Sequence, residues 1–84
     1  MRKYQEAIYS AIVRRGTWGG NNSVVTTKGC VTEVYYYGSK IAVVNHIDKT
    51  ATLDYCGYHT VSTGARINAV KEFCERYGYK YEYN

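Results

Sequence analysis

The stretch Cys30–Asn45, with the sequence CVTEVYYYGSKIAVVN, decides the fold because it predicts two strands joined by one turn. Its first half alternates β-branched, polar and aromatic residues, which places Tyr35 and Tyr37 on one face and Tyr36 on the other. The dipeptide Gly38-Ser39 suits a two-residue hairpin turn, and the residues after it return as the next strand. We therefore expect an antiparallel hairpin with at least one substantially exposed tyrosine.

Further β-rich segments extend this hairpin in both directions along the chain. Residues 23–27 predict a strand before it, and residues 50–56 alternate as a strand after it. Residues 17–22 have the composition of a loop. At the other end of the chain, residues 79–84 alternate tyrosine with polar residues, which predicts a short C-terminal strand.

Two segments have helical periodicity. Residues 2–15 repeat apolar side chains every three or four positions and are followed by a glycine. A second helix is predicted to begin at Ser62 or Thr63, either of which can accept a hydrogen bond from the first turn, and to end at Gly78. Arg66 is expected on the outer face of this helix, and its buried stripe is expected to comprise Ile67, Ala69, Val70, Phe73 and Cys74.

Together these elements predict an α+β fold in a single small domain over residues 1–84. The order is α-β-β-β(-β)-α plus a short C-terminal strand, and a three- to four-stranded antiparallel sheet packs both helices on one face. The other face of the sheet is expected to carry many of the tyrosines.

No motif in the chain predicts catalysis, a cofactor or a metal site. Asp54, Cys56 and His59 fall close together, but a nucleophile needs a base within hydrogen-bond reach and a cleft that 84 residues hardly provide. Three separated cysteines and two distant histidines do not form a metal-ligand pattern. We therefore expect a protein that is not an enzyme, with no catalytic residue, no metal ligand and no cofactor.

Tyrosine is the dominant aromatic residue, with 11 copies against one phenylalanine and one tryptophan. Its ring contributes apolar area while its hydroxyl seeks water or a polar partner, so tyrosine-rich surfaces are typical of protein interfaces. The residues predicted to contact a partner are Tyr35, Tyr37, Tyr58, Arg66, Tyr81 and Tyr83. Tyr81 and Tyr83 are also candidates for self-association.

Binding of RNA or DNA is the alternative, because exposed aromatic rings also stack bases and the net charge is +4. In that interpretation the contacts are Arg2, Lys3, Arg14, Arg15 and Tyr36. The helix–sheet–helix order resembles that of the double-stranded RNA-binding domain. The expected lysine cluster at the start of the second helix is missing, so this similarity is topological only.

A closer resemblance lies in the hairpin around Gly38 and in residues 52–70, TLDYCGYHTVSTGARINAV. There a strand runs into Cys-Gly-aromatic-x-Thr-x-Ser-Thr and then into a helix that contains Arg-Ile-Asn. This pattern resembles small uncharacterised proteins encoded by tailed bacteriophages. The resemblance implies a phage accessory protein. From this class, the small size and the aromatic surface, we expect it to bind a host protein or ribonucleoprotein complex stoichiometrically in the host cytoplasm, as an anti-CRISPR-like inhibitor of host defence. No apolar run is long enough to span a membrane, so no membrane partner is expected.

Overall fold

The computed structural model describes all 84 residues. The chain forms two helices and six strands in the order α1 (Lys3–Val13), β1 (Trp18–Gly20), β2 (Ser23–Lys28), β3 (Val31–Tyr36), β4 (Ser39–Asn45), β5 (Thr50–Leu53), α2 (Val61–Tyr77) and β6 (Lys80–Tyr83).

All six strands form one sheet in the order β1-β2-β3-β4-β5-β6. The first five strands are an antiparallel meander, whereas β6 runs parallel to β5 because α2 crosses over between them. The predicted α+β class is confirmed, and the C-terminal strand is present. The sheet has more strands than the sequence predicted, because β1 also belongs to it.

The extra strand is explained by the turn at Asn21-Asn22. These residues have φ angles of 52° and 60°, which is the left-handed pair that a two-residue hairpin turn requires. Asparagine tolerates this region better than most residues, so Trp18–Gly20 pairs with β2 instead of forming the predicted loop.

The central hairpin turns one residue earlier than the sequence predicted. Tyr36 pairs with Ser39, and the two turn residues are Tyr37 and Gly38, with φ angles of 52° and 80°. A turn of this type needs positive φ at both central positions, which Gly38-Ser39 satisfies less well. Tyr37 therefore lies outside β3, and the prediction that it shares a strand face with Tyr35 is wrong.

A β-bulge in β4 aligns the rest of that strand with the core. Val34 pairs with Ala42 and Tyr35 with Lys40, which leaves Ile41 without a partner in β3. As a result Ile41 and Ala42, although adjacent, are both buried on the helix side.

Both helices cover one face of the sheet, and fifteen buried apolar residues form the core between the layers. The helices run in roughly the same direction, because Gln5 bonds to Ala65 near the start of α2 while Tyr9 packs on Phe73 and Tyr77 near its end. The predicted stripe of α2 is confirmed, since its five members are all buried: Ile67, Ala69, Val70, Phe73 and Cys74.

The uncovered face of the sheet is mostly polar, and the prediction that it carries many tyrosines is wrong. Strand alternation leaves only Tyr35 there, among neighbours such as Thr26, Glu33 and Lys40. The remaining tyrosines lie on the helix side, in the helices, in turns or in loops.

The segment between β5 and α2 is a loop. β5 ends at Leu53 rather than at Cys56, because the Asp54 side chain accepts the Cys56 N–H at 2.7 Å and turns the chain. α2 is capped by Thr60, slightly before the predicted position, and its hydroxyl accepts the Thr63 N–H at 3.1 Å.

Candidate functional site

A groove of about 390 Å³ opens where the β3–β4 turn faces the start of α2. Three aromatic rings and three aliphatic hydroxyl groups line it, and no charged side chain does. Its lining residues, here called the tyrosine groove, are Tyr36, Tyr37, Ser39, Tyr58, Thr60 and Thr63.

The hairpin supplies one wall of the groove. The rings of Tyr36 and Tyr37 lie 4.7 Å apart between centroids, at an angle of 55°. Tyr37 is 70% exposed, yet two contacts to Asn22 hold it: the Tyr37 N–H donates to the Asn22 carbonyl at 2.8 Å, and the Tyr37 hydroxyl accepts from the Asn22 amide at 3.0 Å. The ring is therefore presented to solvent on a fixed turn.

The loop after β5 supplies the opposite wall. Cys56 and Gly57 both have positive φ, and the Tyr58 N–H donates to the Tyr55 carbonyl at 2.9 Å. The Cys56 thiol donates to the Lys40 carbonyl at 3.1 Å, which ties the loop to β4. Tyr58 projects from this tight turn and is 63% exposed.

The helix cap forms the base of the groove. The hydroxyl groups of Thr60 and Thr63 lie 3.1 Å apart, and the Thr60 hydroxyl oxygen also accepts the Thr63 N–H. The same residues thus begin α2 and present hydroxyl groups beside the tyrosines.

Arg66 lies inside the protein next to this groove, and the prediction that it faces outward is wrong. Its side chain is only 5% exposed. The guanidinium carbon lies 3.9 Å from the Tyr36 ring centroid and 4.3 Å from that of Tyr4. Its N–H groups donate to the Ser23 hydroxyl at 2.6 Å, the Ser62 carbonyl at 2.8 Å and the Asn21 carbonyl at 2.9 Å.

These contacts explain how a cation is buried without an ion pair. Neutral oxygens satisfy its donors, and the electron-rich faces of two rings enclose its planar group. Because the bonds reach the Asn21-Asn22 turn, the start of β2 and α2, Arg66 holds together the elements that support Tyr36 and Tyr37.

The other predicted partner residues lie away from the groove. Tyr35 is on the uncovered sheet face, where its hydroxyl donates to Glu33 at 2.8 Å and Lys40 donates to the same carboxylate at 3.2 Å. These two bonds lower the pKa of Glu33, and the bond to Glu33 raises the pKa of both Tyr35 and Lys40.

Tyr81 and Tyr83 lie on the edge strand β6, on its helix side. The Tyr81 hydroxyl donates to Glu75 at 3.2 Å, and burial followed by this bond raises the pKa of Tyr81. The Tyr83 ring stacks on Tyr55 with centroids 5.9 Å apart, and Tyr55 stacks on His59 at 4.6 Å. The predicted partner residues thus fall in four places, namely the groove, the interior at Arg66, the uncovered sheet face and β6, and only Tyr37 and Tyr58 share the groove.

The residues predicted for nucleic-acid binding are not brought onto one surface. Arg2 and Lys3 are at the start of α1, whereas Arg14 and Arg15 follow its end, about 16 Å along the helix axis. Arg2 donates to the Tyr4 hydroxyl at 3.2 Å and Arg14 to the Thr17 carbonyl at 2.9 Å. Tyr36 lies in the groove, with one face of its ring against Arg66.

The acid, thiol and imidazole considered for catalysis make different contacts. Asp54 accepts the Cys56 N–H, and this bond and one from Asn84 lower the pKa of Asp54. Burial and the nearby Asp54 carboxylate raise the pKa of the Cys56 thiol, which disfavours the reactive thiolate. His59 stacks on Tyr55 and makes no hydrogen bond to Cys56. No group of three or more His, Cys, Asp and Glu side chains is placed to hold a metal ion.

Sequence reasoning missed Ser39, Thr60 and Thr63 as lining residues and assigned Tyr36 to nucleic acid only. The position of the two threonines at the start of the helix could have identified them, but it was interpreted only as a sign of helix capping. Ser39 was placed in the turn and not beside it.

The comparisons with known proteins place the chain among phage proteins. The family model described as Kyanoviridae Gp96 protein matches residues 1–83. The chain belongs to this family. It confirms the broader expectation of a small bacteriophage protein, and its description names no activity. No curated protein and no solved structure matches the chain significantly. Neither helix of this Gp96-family protein has the length and apolar content needed to cross a membrane.

Proposed function

We propose that this Gp96-family protein is a phage accessory protein that acts by stoichiometric, non-catalytic binding of a host protein through the tyrosine groove. The observation that carries the proposal is the pair Tyr37 and Tyr58, which are 70% and 63% exposed on opposite walls of one groove. Their positions are fixed by backbone hydrogen bonds in tight turns.

The composition of the groove favours a protein partner. Tyrosine contributes a large contact area with only two flexible side-chain angles, and serine, threonine and asparagine around it adapt their hydrogen bonds to the partner. Aromatic anchors of this kind supply most of the energy of many interfaces, at roughly 2 kcal/mol or more per anchor.

The proposed target is a component of a host defence system in the host cytoplasm, so that the protein acts in the manner of an anti-CRISPR inhibitor. Membership of a phage family, the small size and the binding groove support this proposal. The net charge of +4 argues against mimicry of DNA, which requires an acidic surface.

Affinity capture of the tagged protein from infected host cells tests the proposal, with and without nuclease treatment. We expect one host protein to be captured in a fixed ratio by wild type, and to be lost with Tyr37→Ala and with Tyr58→Ala. Tyr35→Ala, on the opposite face of the sheet, is the matched control and should retain it. Expression of wild type should also raise the plating efficiency of a defence-sensitive phage, whereas the two groove variants should not.

Two results would contradict the proposal. One is a host protein that is captured equally well by the groove variants. The other is capture that disappears on nuclease treatment, which would favour the alternative in which the protein binds RNA or DNA.

A further inference from the structure

The edge strand β6 offers an uncovered row of backbone groups. It is the last strand of the sheet, with β5 on one side and nothing on the other. The opposite edge strand, β1, has only three residues and two of them are glycines, so it offers less to a partner. β6 contains neither proline nor a bulge, two of the features that commonly protect an edge.

The alternation of the backbone identifies the groups that face outward. The Lys80 N–H donates to the Lys49 carbonyl at 3.0 Å, and the Asn84 N–H donates to the Leu53 carbonyl at 2.8 Å. Residues 80, 82 and 84 therefore direct their backbone groups towards β5. Tyr81 and Tyr83 direct their N–H and C=O groups towards the free edge.

We propose that two copies of the chain associate edge to edge through antiparallel pairing of β6, about a twofold axis at Tyr81. Tyr81 then lies opposite Tyr81 of the second copy, and each can exchange two hydrogen bonds with the other. Lys80 lies opposite Glu82 of the second copy, and Glu82 opposite its Lys80.

This register is selected by the charges. Residues that face each other across an antiparallel pair lie on the same side of the sheet, and Lys80 and Glu82 both lie on the uncovered side. A shift of the register by one residue would place Lys80 and Glu82 opposite tyrosines of the second copy, whose side chains belong on the helix side of the sheet. A shift by two would place Lys80 opposite itself or Glu82 opposite itself, with like charges in contact.

Two features of the monomer favour this pairing. Lys80 and Glu82 are exposed and form no ion pair within the chain, whose single salt bridge joins Lys40 and Glu33. Tyr83, on the same strand, is 51% exposed, so association would also cover aromatic surface.

Sedimentation velocity at low ionic strength, over a wide range of protein concentration, tests the proposal. We expect wild type to dimerise, and we expect Lys80→Glu and Glu82→Lys each to raise the dimer dissociation constant at least about tenfold, since each replaces two attractive cross-strand pairs with two repulsive ones. The double variant Lys80→Glu/Glu82→Lys should regain dimerisation, because the swapped charges are again complementary.

Mixing the two single variants gives a second test that does not depend on either one alone. The Lys80→Glu chain has an acidic edge and the Glu82→Lys chain a basic one, so an equimolar mixture should form a heterodimer. At protein concentrations too low for wild type to dimerise, circular dichroism should show unchanged melting for the single variants, because both side chains are exposed. Monomeric wild type, or single variants that dimerise as well as wild type, would overturn the proposal. A double variant or mixture that stays monomeric would overturn the register.

Discussion

At the scale of single residues, Arg66 is a buried cation stabilised by oxygens and rings. Its three hydrogen bonds connect Asn21, Ser23 and Ser62, which belong to three different segments of the chain. Nothing in a single sequence distinguishes it from the exposed charges of the same helix, because two of its three acceptors, Asn21 and Ser23, lie more than forty residues away.

We expect Arg66→Met to lower the free energy of unfolding by about 2–4 kcal/mol, because it removes three hydrogen bonds and two ring contacts and leaves the Ser23 hydroxyl oxygen without its donor. Arg66→Lys should recover only part of this, since an ammonium group cannot reproduce the planar fork between two rings. Urea unfolding measures both variants. Arg76→Met, at an exposed position of α2, is the control and should stay within about 0.5 kcal/mol of wild type. Equal effects of the substitutions at positions 66 and 76 would contradict this account.

His46 is the second residue whose environment the sequence did not reveal. Its Nε2 lies 2.7 Å from the Thr32 hydroxyl, which lies 2.8 Å from the Thr27 hydroxyl, and Thr27 donates to the Gly16 carbonyl at 2.9 Å. Because Thr27 has one hydroxyl proton, Thr32 must donate to it, and His46 must donate to Thr32 from Nε2. Burial disfavours the charged ring and lowers the pKa of His46, so at neutral pH Nδ1 accepts from the Tyr79 hydroxyl at 2.9 Å.

We expect the stability of the protein to fall as the pH is lowered below about 6.5, the ordinary pKa of histidine. Burial, with a smaller effect of Arg15, lowers the pKa of His46 in the folded protein. Between that lowered pKa and about 6.5 the unfolded chain binds a proton that the folded chain does not, so acid favours unfolding and the contribution is complete above this range. Urea unfolding from pH 7 to pH 5 measures it. His46→Gln is the control, because it cannot titrate, and it should show a flatter dependence; identical slopes would contradict the assignment.

At the scale of elements, the β3–β4 turn connects stability with binding. Tyr37 adopts a left-handed conformation, with φ of 52°, that suits asparagine better than tyrosine. Tyrosine at position 37 therefore does not favour the backbone conformation of the turn, and its exposed ring contributes to the groove instead of the core.

We expect Tyr37→Asn to leave the free energy of unfolding unchanged or to raise it by up to about 1 kcal/mol, while it abolishes capture of the partner. Gly38→Ala should have the opposite pattern: it should lower the free energy of unfolding by about 1 kcal/mol and leave capture of the partner intact. The φ angle of Gly38 is 80°, so a side chain there is strained even though the space is open. Thermal unfolding and the capture assay separate the two effects. A large loss of stability in Tyr37→Asn would show that the ring is structural.

The helices, the central strands and the terminal strand were predictable because each has a clear period in its sequence. Ile67, Val70 and Cys74 mark the buried stripe of α2, and Tyr79 to Tyr83 alternate as a strand should. Turn positions were less predictable. Asn21-Asn22 makes a hairpin where composition favoured a loop, and the bulge at Ile41 depends on pairing with a neighbouring strand. The groove joins residues from the hairpin, the loop and the helix cap, so it exists only after these elements have packed.

At the scale of the whole molecule, the tyrosines of the C-terminal segment are divided between the core and the free edge of the sheet. The ring centroids of Tyr79 and Phe73 lie 4.8 Å apart, and the Tyr79 hydroxyl is hydrogen-bonded to His46. Tyr79 also directly precedes β6, the strand that pairs with β5. Tyr83 is half exposed at the end of the sheet. The C-terminal segment 79–84 therefore combines a residue that stabilises the fold with residues available to a partner.

We expect deletion of residues 79–84 to destabilise the protein by about 3–5 kcal/mol, because it removes the Tyr79 ring from the core and strips β6 from β5. For a chain of this size the melting temperature should fall by more than about 10 °C. The full-length variant Tyr83→Ala is the control, and it should melt within a few degrees of wild type because half of that ring is already exposed. Differential scanning calorimetry compares the three proteins. A truncated chain that melts at the same temperature as wild type would mean that Tyr79 and β6 contribute nothing to stability. It would also mean that losing the Tyr79 hydroxyl, the only donor to Nδ1 of His46, costs nothing, which would contradict the hydrogen-bonded state assigned to that ring.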